Sequence, residues 1–255
     1  MPTAKPRQHH YVQARYLDGF LAPPDTMLWV YGRKRVNSHR GVPDEIARQR
    51  DFYAIPNAPA GESIESFLAR TIENPGLSAV RHLLAAQRAP IFEQRLAIAR
   101  YIAFQEWRVP YSRETHRSLT AKFIQQLLDR FDRTRERSVL AQQWAGREGL
   151  YAGPPTLITR EEVEAYAKNI SANPTSYDLE SMINLATRAT DWYLRMDWTI
   201  LLAPPKTSFI TSDNPVFKYF RGSGGDETVV RPDCHICCPL AANALLVMKN
   251  PPNLR

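Results

Sequence analysis

Phe92-Glu93-Gln94-Arg95-Leu96-Ala97-Ile98-Ala99-Arg100-Tyr101-Ile102-Ala103-Phe104-Gln105-Glu106-Trp107-Arg108-Val109-Pro110 decides the fold class. Phe92, Leu96, Ala99, Ala103 and Trp107 recur at three- and four-residue steps, flanked by Ile98 and Ile102. That spacing lays an apolar stripe along one side of an α-helix. Pro110 ends it. Gln105 shares a face with Ile98 and Ile102 and must therefore find hydrogen-bond partners, because a buried, unsatisfied amide costs on the order of 1–3 kcal/mol. Arg108 follows three residues later on the same surface.

The helical pattern extends both ways. Upstream, Ile64, Phe67, Leu68 and Ile72 form a face stopped at Asn74-Pro75, and Leu77, Val80, Leu83 and Leu84 form a second. Downstream, Phe123, Ile124, Leu127, Leu128 and Phe131 mark the buried side of a basic helix. Thr159 and Glu162 make a capping box that opens another, and Leu179 to Tyr193 supplies one more. After Met196 the runs shorten and become β-like: Trp198–Leu202, Phe209–Thr211, Thr228–Val230, His235–Cys238 and Ala244–Met248. At the other end, Gln8 to Leu21 has helical spacing. Met27–Tyr31 reads as a strand, Gly32-Arg33-Lys34-Arg35 as a basic turn, and Val36 as the start of the return strand. Arg50–Tyr53 reads as a further extended piece. The expected fold is α+β: an N-terminal helix and β-hairpin, a helical middle, and a C-terminal short-stranded antiparallel or mixed sheet. One domain over 1–255 is expected, with a subdivision into 1–144 and 156–255 as the alternative.

The 255 residues, 44% hydrophobic, suffice for a sizeable core. The net charge of +7 is uneven: residues 1–50 carry nine Lys and Arg against four Asp and Glu, and residues 151–255 carry ten against eleven. A polyanion such as nucleic acid would meet the N-terminal half. No apolar run reaches the ~20 residues of a membrane span. The start lacks the apolar core of a secretory signal, so a cytoplasmic protein with no membrane partner is expected. The three cysteines fall within Cys234–Cys238, which is no disulfide framework and only half a structural zinc site. Small core residues are the plainer account of them.

Two polar motifs stand far apart in the chain. Gln8-His9-His10-Tyr11-Val12 offers histidines, the side chains suited to proton transfer near neutral pH. On the expected helix they point about 100° apart, one toward the core and one toward a cleft. Thr211-Ser212-Asp213-Asn214-Pro215 is a turn by composition, since Asp and Asn bond their own downstream backbone. It could also present a carboxylate to a histidine. No nucleophile-elbow glycine pattern surrounds Ser212. Glu73 lies at a helix end, where the dipole gives a carboxylate nothing. Arg50 beside Asp51 is either a local ion pair or a site arginine.

Several of these residues recur together in a recognisable order. Gln8-His9-His10-Tyr11-Val12, Tyr16-Leu17, Phe20 and Leu28-Trp29-Val30-Tyr31 resemble the opening of the family called domain of unknown function 4238. Arg50-Asp51-Phe52-Tyr53, the helix bearing Glu73, Gln105-Glu106-Trp107-Arg108-Val109-Pro110, Thr211–Pro215 and Cys238-Pro239-Leu240 follow in that family's order. Gln13 stands where the family has proline. The chain stops soon after Val247-Met248, which implies a shortened member or a missing C-terminal part. The family has no established activity.

Two functions are therefore expected as alternatives. In a hydrolase of nuclease or phosphoesterase type, His9 or His10 is the general acid–base and Asp213 its orienter or a metal ligand. Glu73 is then a second carboxylate, Arg50 and Arg108 hold anionic charge, and Gln105, Ser212 and Asn214 contact substrate. No metal ligand set is assigned, and a divalent cation is left open. In a non-catalytic nucleic-acid-binding module, the basic hairpin with Arg33, Lys34 and Arg35 and the Arg-rich helix near Arg117–Arg137 make the contacts, and the polar motifs lock the fold.

Overall fold

The structure, a computed structural model, describes residues 8–32, 38–54, 63–86, 88–133, 159–220 and 233–251. These fall into two compact units, Met1–Ser112 with Ser181–Arg255, and Arg113–Glu180.

In the first unit the N-terminal stretch departs from its helical spacing. Gln8–His10 is a strand (β1), and the helix (α1) spans only Ala14–Leu17. β1 pairs antiparallel with β4 (Arg48–Arg50), His9 opposite Gln49, and the amides of Tyr11 and Val12 both donate to the Ala47 carbonyl. Long-range pairing of the backbone outweighs a local periodicity only three turns long. The histidines thus point to opposite faces of a strand rather than sitting along a helix edge. Between these strands, β2 (Leu28–Val30) and β3 (His39–Gly41) form the expected hairpin. Its turn, Arg33-Lys34-Arg35, lies outside the described residues, as does the expected strand Thr228–Val230.

The helical middle begins with α2 (Ile64–Leu68), whose Ser63 cap accepts from the Ser66 amide. It passes through a π turn, Ala69–Glu73, into α3 (Asn74–Ala86). A π turn inserts one residue into the helical register and rotates the side chains beyond it. Here Glu73 ends up buried. Helix α4 (Phe92–Trp107) is formed as its spacing predicts, but its burial differs. Phe92 is exposed, whereas every residue from Ile98 to Glu106 except Arg100 is buried. A helix enclosed on all sides draws its polar residues into the core with it. Gly76 permits the closest approach: a methyl there would overlap Tyr101 Cβ and lie 2.6 Å from its Cγ.

Helix α5 (Pro110–Arg133) starts with proline at its first position and enters the second unit at Arg113. That unit also holds α6 (Arg160–Ala172), opened by the Thr159/Glu162 capping box, and the start of α7 (Pro174–Arg195). Asp178, buried there, accepts a forked bond from Arg117 and faces Arg113 at 3.3 Å. Back in the first unit, β5 (Asp197–Leu202), β6 (Phe217–Phe220), β7 (Cys234–Ala241) and β8 (Ala244–Lys249) form an antiparallel sheet ordered β5-β8-β7-β6. The stretch Phe209–Thr211 is not a strand; the Phe209 amide bonds the Ala242 carbonyl from an irregular segment. No helix among the described residues is long and apolar enough to cross a membrane.

Candidate functional site

The polar centre of the first unit is built around Arg108. It caps the C-terminus of α4, its amide donating to the Phe104 carbonyl, in the break before Pro110. From that corner its side chain runs inward and is 3% exposed. Nη1 pairs with Glu73, Nε donates to the Tyr11 carbonyl at 2.9 Å, and Nη2 donates to the His10 carbonyl at 2.8 Å. Burial opposes the guanidinium charge, but Tyr53 and Glu73 outweigh it, so Arg108 is held ionised more firmly than a free arginine. One cation thereby joins the end of α4, the π turn and the N-terminal strand. The two carbonyls it bonds lie at the end of β1, and the His10 carbonyl also accepts from the Tyr53 hydroxyl at 3.3 Å.

His9 is buried. Its Nδ1 accepts the Tyr53 amide at 3.1 Å, which in the neutral ring leaves the proton on Nε2, 4.0 Å from the Glu65 carboxylate. His10 is half-buried and its Nε2 donates to the Asp44 carbonyl at 3.0 Å. Gln105 is 1% exposed; its amide donates to the Tyr101 hydroxyl at 2.9 Å, and that hydroxyl donates to Gln13 Oε1 at 3.4 Å. Gln105 Oε1 has no hydrogen-bond partner among the described residues. Burial raises the Tyr101 hydroxyl's pKa well beyond the ordinary range, so it stays a neutral relay.

The second motif reaches the same region by another route. The Tyr16 hydroxyl donates to the Pro239 carbonyl at 2.8 Å, so in its 2.7 Å contact with Thr211 the threonine is the donor. Tyr16 thus ties α1 to β7 and to the start of Thr211–Pro215. Ser212 is turned onto its own loop, donating to the Asn214 carbonyl at 2.9 Å and accepting the Asn214 amide at 3.1 Å. Asn214 Oδ1 is buried without a partner among the described residues. Asp213 is exposed, and its charge adds to burial in raising the pKa of Tyr11.

The structure therefore gathers Glu73, Arg108 and the His10 backbone in direct contact, with Gln105 one tyrosine away and Asp213 near Tyr11. Arg50 stands apart, exposed on β4 and paired with Asp51 at 3.2 Å. Spacing gave no sign of the partners: Gln13, Tyr53 and Tyr101 read as ordinary helix or strand residues. It equally missed Glu106, which takes the Tyr193 hydroxyl and Lys218 Nζ, the latter at 3.0 Å. The only available signal was a glutamate directly after Gln105 on an apolar helix.

The cysteines lie buried on β7. Burial pushes the Cys234 thiol up to about 11 and raises Cys237 and Cys238 as well, so all three remain protonated at neutral pH. Among the described residues no group of three or more His, Cys, Asp or Glu could hold a metal ion.

A family model described as a protein of unknown function (DUF4238) matches residues 8–254. No curated protein and no solved structure matches the chain.

Proposed function

The chain belongs to the DUF4238 family, and on that footing we propose that it is a non-catalytic nucleic-acid-binding module whose polar motifs lock its fold. The observation that carries this reading is the commitment of Arg108: each of its three nitrogens already serves Glu73 or a backbone carbonyl. Those bonds take three of its five N–H groups, and at 3% exposure the remaining two are closed to a phosphate from solvent. The hairpin instead lies at the surface, although its Arg40 donates to the Asp25 carboxylate at 2.8 Å and to the Met27 carbonyl at 3.4 Å. Trp29 is 59% exposed opposite Arg40, whose guanidinium lies 5.7 Å from the ring centre, and Tyr31 is 78% exposed. The adjoining turn carries Arg33-Lys34-Arg35 in sequence. Aromatic faces beside cations suit single-stranded nucleic acid, each stacked base contributing about 1–3 kcal/mol.

Fluorescence anisotropy with a labelled single-stranded 20-mer at several salt concentrations tests this. Binding should weaken steeply with salt, Trp29→Ala should weaken it roughly 5- to 100-fold, and neutralising Arg33, Lys34 and Arg35 should flatten the salt slope. Salt-independent binding, or none, refutes the proposal. The hydrolase reading is supported only by the half-buried His10 and exposed Asp213 near Tyr11. Turnover of a nucleic-acid or phosphoester substrate that is lost in both His10→Ala and Asp213→Ala would replace the binding proposal with it.

A further inference from the structure

A cavity of about 450 Å³ opens in the first unit, on the side of the sheet edge formed by β5. It lies within the range of roughly 300–1,000 Å³ typical of small-molecule sites. One wall is Trp198, Ile200 and Leu202, alternate residues of β5; another is Leu83 and Leu84 from the end of α3. Ala89, Pro90 and two arginines, Arg88 and Arg95, complete the lining, and no acidic side chain contributes to it.

The two arginines differ in their commitments. Arg95 is fixed: its Nη2 donates to the Leu194 and Met196 carbonyls at the end of α7, and its guanidinium lies 4.4 Å from the centre of the Trp198 ring. Its Nε and Nη1 make no hydrogen bond to any described residue. Burial works against its charge and lowers its pKa, and nearby Asp197 offsets only part of that. Arg88 is exposed and has neither hydrogen bond nor ion pair with a described residue. An apolar chamber whose only charged lining is two guanidiniums, one held rigid and one free to swing, is complementary to an anion with a hydrophobic body.

We infer that this cavity is a binding site for a free amphipathic monocarboxylate, an alkyl or aryl acid whose carboxylate lies between Arg88 and Arg95. Its hydrocarbon part rests on Trp198, Ile200 and the leucines. The planar guanidinium fork of Arg88 matches two carboxylate oxygens, Arg95 adds single donors from Nε or Nη1, and the apolar side chains of the walls give no hydrogen bond to a polar tail. The site is separate from the nucleic-acid proposal and stands or falls without it.

Isothermal titration calorimetry with octanoate, octanol and octylamine reads out each part of the inference on the whole protein. Octanoate should bind saturably at one site, with octanol at least tenfold weaker and octylamine without measurable affinity. Arg88→Ala, a change at an exposed position, should weaken octanoate about 10-fold or more, as expected for a lost charge-assisted hydrogen bond. Ile200→Trp, which fills the chamber, should abolish binding while circular dichroism and the melting temperature show a folded protein. If that variant does not fold, Leu202→Trp at the more exposed end of the wall takes its place. Equal affinity for octanoate and octanol, undiminished binding in Arg88→Ala, or no saturable octanoate binding overturns the inference.

Discussion

Replacing Arg108 by methionine is the perturbation that most directly separates a structural lock from a reactive site. The side chain keeps much of its length and loses its charge and all its donors. Glu73, itself buried, then keeps a carboxylate with no cation, and breaking a buried pair from one side typically costs about 3–5 kcal/mol. The Tyr11 carbonyl also loses a charged donor, at about 1–3 kcal/mol if water cannot reach it, while the His10 carbonyl keeps the Tyr53 hydroxyl as a donor. Against a typical domain stability of ~5–15 kcal/mol, Arg108→Met should be near or past the limit of folding. Glu73→Gln retains the shape and an accepting oxygen but leaves the buried Arg108 cation without a counter-ion, so it should cost about 3 kcal/mol, the lower end of the range for a pair broken from one side. The double variant Arg108→Met/Glu73→Gln should be less destabilised than the two single changes added together, because it leaves no buried charge behind. Urea unfolding followed by circular dichroism gives the three values, and anisotropy with the single-stranded 20-mer shows whether the folded Glu73→Gln protein still binds. An Arg108→Met protein with unchanged urea midpoint refutes the lock.

Three further outcomes are expected from packing and burial. Gly76→Ala should destabilise by roughly 1–3 kcal/mol, the usual cost of overpacking, since its methyl would collide with Tyr101 in the core; a melting temperature equal to the parent's would contradict the close approach of α3 and α4. The cysteine thiols should resist an aromatic disulfide reagent at pH 8 in the native protein and react fully in guanidinium chloride. Because folding raises the Cys234 pKa from 9.0 to about 11, the native state holds its proton more tightly than the unfolded chain does. Its stabilising contribution is therefore complete below pH 9 and is lost as pH rises toward 11. A Cys234→Ala protein whose stability falls as steeply as the parent's across that interval would refute this assignment.

What could be read from sequence, and what could not, follows from how far each determinant reaches along the chain. The capping box at Thr159 and Glu162 joins groups three residues apart, and spacing located it correctly. The alternation and turns after Met196 likewise pointed to a short-stranded antiparallel or mixed sheet, and the sheet formed is antiparallel. Gln8–His10 failed because its structure is set by partners some forty residues away, Arg48–Arg50 and Ala47, while its own spacing is compatible with a helix. Helix α4 shows the limit from inside a correct assignment. Its periodicity identified the helix but not the enclosure of Ile98–Phe104, because a single apolar stripe describes one neighbour and α4 has packing on several sides.

The same enclosure explains why the polar residues were found while their roles stayed open. A buried glutamine or arginine must have partners, so Gln105 and Arg108 could be singled out from their apolar neighbours alone. Which partners they have depends on a π turn that rotates Glu73 inward and on a strand end that leaves two carbonyls exposed to Arg108. Neither has a local sequence signature. Once those partners are known, the distinction between lock and site rests on access and commitment: Arg108 is 3% exposed with a bond from each of its three nitrogens, whereas Arg88 is exposed without hydrogen bond or ion pair within the described chain, and Trp29 is 59% exposed beside Arg40. Function should therefore lie where polar and aromatic groups remain uncommitted at the surface, and the buried motifs that first draw the eye should govern stability.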